Sequence, residues 1–160
     1  MAAKLLTDLS KALRLGPRGW CDLARATVEL ALASRQLAAH SASDLISRAR
    51  EVRPAAASVP LTLRQRQMVK RVAYAIPRMG GRVPWRADCL VQALAARHWL
   101  ARYGIASALC IGVRNEAEFA AHAWLKVGQE VVTGGDISSF APLITPGREH
   151  TWGHSEPNGR

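Results

Sequence analysis

The feature that most constrains this chain is a change of period at Gly104. From Asp88 to Tyr103 the apolar residues Leu90, Val91, Leu94, Ala95 and Trp99 recur at helical spacing; Asp88 is a good N-cap residue and Gly104 a stop signal. Directly beyond, Ile105, Ser107, Leu109, Ile111 and Val113 alternate with Ala106, Ala108, Cys110 and Gly112, which reads as a strand with one bulky and one small face. A short polar loop around Asn115 to Glu118 leads into "AHAWLKV", where His122, Trp124 and Lys126 share one face, and Gly128-Gln129 turns the chain into "EVVT" as a hairpin. A helix feeding a small antiparallel sheet predicts an α+β class.

The N-terminal half reads as helices. Leu23, Thr27, Leu30, Ser34 and Leu37 mark one face of a helix from Trp20 to about His40, broadened by Val28 and Leu32. Asp44–Glu51 predicts a short second helix, and residues 53–60 a loop. Thr62 and Gln65 form a capping box, Val69, Val72, Ala73 and Ile76 lie on one face behind it, and the helix is expected to stop near Pro77. The polar face of that helix carries Arg64, Arg66, Lys70 and Arg71 and no acid. At 160 residues the chain suits one domain. Its expected organisation is a helical segment over 1–60 packed on a core of 61–143, with a flexible tail over 144–160.

The net charge of +10 sits wholly in the first part, where Lys and Arg outnumber Asp and Glu by 15 to 5 over residues 1–84 against 7 to 7 over 85–160. Such a field attracts acidic partners, or is a solvated arginine-rich surface. Three cysteines without paired spacing argue against a disulfide framework and predict a reducing, cytoplasmic setting. The most apolar segment, from Val28, is broken by Glu29, Arg35 and Gln36 well short of the ~20 residues a bilayer requires, so no membrane span is expected. The N-terminus carries Asp8 and no continuous apolar run, which argues against a signal peptide.

With Asp88 as cap, Cys89 takes the first helical position, where unpaired amides and the helix dipole favour a thiolate and can receive an oxyanion. Acyl chemistry on a thiolate also needs a base, and the base an orienting group. His122 stands on a strand between alanines that leave an imidazole room, and Asp136 follows the next strand, so Cys89, His122 and Asp136 come in the order of a Cys-His-Asp site. Cys110 reads as a buried inert thiol, and Cys21 has no candidate base near it. His98 lies within the helix of Cys89. His150 and His154 have a metal-like spacing without a matching pair of ligands, so no metal is expected. Neither a phosphate-binding loop nor a dinucleotide fingerprint occurs, so no cofactor is expected either.

The passage "CLVQALAARHWLARYGIASALCIGVR" followed by "AHAWLKVGQEVVTGG" resembles the transglutaminase-like leader peptidases of lasso-peptide biosynthesis, the microcin-processing type. The resemblance spans about Trp20 to Leu143. Its most specific parts are Cys89-Leu90, the helix-Gly-Ile-strand passage ending in Ile111-Gly112-Val113, and Ala121-His122-Ala123-Trp124. It implies a papain- or transglutaminase-like core in a bacterial, cytoplasmic cysteine peptidase that removes the leader from a ribosomally made precursor through a thioester. A partner cyclase would then join the freed amine to an acidic side chain. By the same resemblance Cys89 is nucleophile, His122 base and Asp136 orienter, although two glycines precede Asp136 where the family places its acid directly after the strand. The leader-recognition domain of such systems is winged-helix-like, and residues 1–60 read as helical, so a separate recognition protein is implied as partner, and no nucleic acid. Two other readings stay open: a noncatalytic basic module that binds precursor peptide or nucleic acid, and acyl transfer to an amine on the same three residues.

Overall fold

The computed structural model describes residues 16–40, 44, 60–115 and 119–144. Among them the elements run α1 (Gly16–Ala39), α2 (Leu63–Gly80), α3 (Cys89–Ala101), β1 (Ala108–Asn115), β2 (Phe119–Val127), β3 (Glu130–Thr133) and β4 (Ala141–Ile144). The α+β class is therefore present: helices on one antiparallel sheet of order β3-β2-β1-β4. Most of the expected helix at Asp44–Glu51, the loop of 53–60 and the tail lie outside the described residues. So do His150 and His154.

Local chemistry sets the helix ends. Thr62 N donates to Gln65 Oε1 at 3.0 Å and Gln65 N donates to Thr62 Oγ1 at 3.2 Å, the expected capping box. At the far end α2 does not stop at Pro77 but runs on to Gly80. Proline forfeits one backbone bond there, while Ile76 is fully buried and Met79 packs on the core, so the last turn is held by burial. The helix of Cys89 closes at Gly104, whose φ of +64° suits glycine; Gly104 N donates to Ala101 O at 3.0 Å and Ile105 N to Leu100 O at 3.2 Å, with Ile105 and Leu100 both buried. That cap consumes Ile105, so β1 starts at Ala108 rather than at Ile105.

α3 is the centre of the molecule. It packs on α1 and α2 on one side and along β2 on the other. Its buried set, Val91, Ala93, Leu94, Ala95, Ala96, Trp99 and Leu100, extends well beyond the single stripe read from the sequence, because neighbours enclose it on several sides. Leu30, Val69, Val72 and Ile76 meet it from α1 and α2, and Leu109, Leu125 and Val132 from the sheet.

α1 is rotated from expectation. Ala26, Leu30 and Ala33 are buried and Leu23 and Leu37 pack beside them, but Val28 and Leu32 face solvent at 53% and 42% exposure. The rotation follows two acids that turn inward. Asp22 receives Arg71 Nε of α2 at 2.8 Å, and Glu29, only 1% exposed, accepts from Arg25 Nε at 2.8 Å with Arg102 at 3.7 Å. A buried carboxylate must keep its cation, so these pairs fix which side of α1 faces the core. One of the five basic residues of α2, Arg71, is thereby structural.

Candidate active site

Cys89 is the first residue of α3 and half-buried. Asp88 caps the helix from an extended backbone: its Oδ1 accepts from Val91 N at 3.2 Å, and its carbonyl accepts from Gln92 N at 2.9 Å. The amides of Cys89 and Leu90 are left without an intrahelical acceptor, so the thiol sits where the backbone offers donors to a developing anion. Gln92, one turn on, donates from Nε2 to Ala87 O at 2.8 Å and so pins the segment that enters the helix.

The other half of the site comes from the sheet. β1 and β2 pair with Gly112 opposite His122 and Cys110 opposite Trp124. Alternation then divides the sheet: Leu109, Leu125 and Val127 join the helical core, while Cys110, His122 and Trp124 share the other face. Gly112 is needed on that face, since a Cβ there would lie 2.7 Å from Trp124 Cη2 and from Ala141 O. Because β3 and β4 are opposite edges of the sheet, the chain between them has to cross it. It crosses over His122, with Gly134 against Trp124 and the Phe140 ring 4.9 Å from the imidazole; Arg114 lies 5.3 Å over Phe140.

His122 Nε2 lies 2.7 Å from Gly134 O. A carbonyl can only accept, so Nε2 carries the proton and Nδ1 of the neutral ring is left with the lone pair. The expected orienting carboxylate is elsewhere. Asp136 is exposed, its Oδ1 accepts from Ser138 N at 2.9 Å, and it makes no hydrogen bond or ion pair with His122. The bonds from Ser138 hold the Asp136 carboxyl below its ordinary range. Two glycines let the chain turn away immediately after β3, which brings a backbone oxygen to the imidazole and carries the carboxylate two residues past it. Gly134 O and Phe140 were not read from the sequence as site groups; the only local signal was the glycine pair itself.

Cys89 makes no hydrogen bond with His122. Their elements touch, since α3 lies on β2, but α3 packs on the Leu125 and Val127 face of that strand and His122 projects from the opposite one. The remaining thiols are set apart. Cys21 is exposed, and Cys110 is buried, with burial pushing its thiol up from the ordinary value.

The sequence profile described as "Transglutaminase-like superfamily" matches residues 23–145, from within α1 to just past β4. The chain belongs to the transglutaminase-like superfamily. No curated protein and no solved structure matches it. A transglutaminase-like domain fits the chemistry of a cysteine protease or an acyltransferase. No helix among the described residues is long and apolar enough to cross a membrane.

Proposed function

We propose that this transglutaminase-like protein is a cysteine peptidase that removes the leader from a ribosomally made lasso-peptide precursor. The observation that carries the reading is the state of His122: Nε2 is held by Gly134 O at 2.7 Å and Nδ1 is free to act as base, in a chain whose superfamily uses thiol chemistry and whose one helix-start cysteine is Cys89. The "AHAW" and "CLVQ" passages support the narrower substrate class through their resemblance to lasso-peptide leader peptidases.

In this scheme Nδ1 of His122 takes the Cys89 proton and the thiolate attacks the carbonyl at the leader–core junction. The amides of Cys89 and Leu90 receive the oxyanion. Collapse expels the core's amine, which takes the proton from the imidazolium, and leaves the leader as a thioester on Cys89. Water attacks the thioester with His122 again as base, releasing the leader carboxylate and restoring the thiol. Gly134 O holds the ring through both steps. The freed amine is what a partner cyclase would consume, and a separate recognition protein would present the leader.

The test is a reconstituted reaction with precursor and recognition protein. Cys89→Ala and His122→Ala are each expected to abolish leader removal with an unchanged unfolding midpoint, because nucleophile and base act as a unit. Retained cleavage by either variant rejects the site. Transfer of the leader to an added amine in place of hydrolysis reassigns the reaction to acyl transfer.

A further inference from the structure

α1 packs on α2 and α3 through Ala26, Leu30 and Ala33, yet its opposite side is not polar. Trp20, Val28 and Leu32 are 53%, 53% and 42% exposed and, with Ala24, follow one another at intervals of four residues. A helix with apolar residues on both sides has a face that a neighbour would cover. The exposed charges of α1 and α2 are of one sign. Both acids of α1 are buried in ion pairs with Arg71, Arg25 and Arg102, while Arg18 and Arg35 are exposed on α1, and Arg64, Arg66 and Lys70 on α2, which has no acid.

We propose that the outward face of α1 is a docking surface for an acidic amphipathic helix of a partner protein. The ridge Trp20–Ala24–Val28–Leu32, with a small residue between large ones, offers the i, i+4 relief into which the side chains of a second helix pack. Acidic residues flanking the partner's apolar stripe meet Arg18 and Arg35. A second copy of this chain would bring the same cationic face and be repelled. The chain's own flanking segments, residues 1–15 with Lys4, Asp8, Lys11 and Arg14, and 41–59 with Asp44, Arg48, Arg50, Glu51 and Arg53, are both net basic and do not supply the complementary charge. The inference is independent of the chemistry at Cys89.

The probe is a short amidated, fluorescently labelled peptide designed as a helix with leucines along one face and glutamates flanking them, titrated with the full chain by anisotropy. Saturable binding is expected, weakened at least about tenfold by Val28→Glu with Leu32→Glu, and likewise by Arg18→Glu with Arg35→Glu. A control peptide with lysines for the glutamates should not bind, and Cys89→Ala protein should bind as wild type does, which separates this test from that of the peptidase reading. Unfolding midpoints of both double variants should match wild type; the arginine pair serves as the readout should the apolar pair misfold. Equal binding by wild type and both variants overturns the proposal. So does binding to vesicles of phosphatidylcholine with phosphatidylglycerol in place of the peptide, which assigns the face to lipid, or a wild-type dimer that Val28→Glu with Leu32→Glu dissociates, which assigns it to a second copy.

Discussion

Replacing Gly134 by alanine separates the two groups that compete to orient His122. Gly134 has φ +111°, and a Cβ there would overlap Trp124 Cβ and lie 3.2 Å from Trp124 Cα and 3.3 Å from His122 Nε2. An L residue at that φ costs about 1–3 kcal/mol. The Trp124 contact adds roughly another 1–3 kcal/mol of overpacking, since Trp124 is buried at 3% exposure and its ring already fills the space above Gly112. Gly134→Ala should thus destabilise by about 2–6 kcal/mol in urea unfolding, and the chain relieves the clash by moving the 134 carbonyl away from the imidazole. A shift near 1 Å in a positioning group is worth about 10²-fold in rate, which is the loss expected in single-turnover leader cleavage under conditions where the variant stays folded. Asp136→Asn is the counterpart. Its amide oxygen can still accept from Ser138 N, so cleavage should stay within about threefold of wild type. The reasoning fails if Gly134→Ala unfolds and cleaves like wild type. It fails equally if Asp136→Asn loses about 10²-fold at unchanged stability, because the carboxylate would then be the orienter.

Two further outcomes follow from charges the fold encloses. Burial holds His98 below its ordinary value of 6.5, opposed in part by Glu29, so the unfolded chain takes up that proton more readily; the stability of the neutral ring is present above about pH 6.5 and is lost as pH falls toward the folded-state value. The urea midpoint should therefore drop between about pH 7 and pH 5.5, and His98→Gln should flatten that drop; an equal slope in the variant would exclude His98 as its source. Arg71→Met strips the 8%-exposed Asp22 of its cation and should cost about 1–2 kcal/mol, less than the roughly 3–5 kcal/mol of a fully buried pair because Arg71 is itself partly exposed. In a double-mutant cycle most of that cost should vanish on an Asp22→Asn background; a cost that persists belongs to the lost packing of the arginine stem.

What the sequence by itself determined was the part of the molecule held by near neighbours. The Thr62–Gln65 box, the Asp88 cap that puts Cys89 first in its helix, the Gly104 stop and the Gly128-Gln129 hairpin each depend on hydrogen bonds spanning a few residues, so their patterns were readable without a fold. The alternation of β1 and β2 likewise settled that His122 and Trp124 share a face. Tertiary structure decided the rest. Ala141–Ile144 is a strand only because β1 offers it an edge, and a proline is tolerated there because β4 is itself an edge of the sheet. α2 continues past Pro77 because the core holds its last turn. Val28 and Leu32 point to solvent because Asp22 and Glu29 find cations on the inner side of α1. The partner of His122 is a backbone oxygen, an atom every residue carries and no residue type advertises; it reaches the imidazole only because the segment after β3 has to cross the sheet to reach the opposite edge.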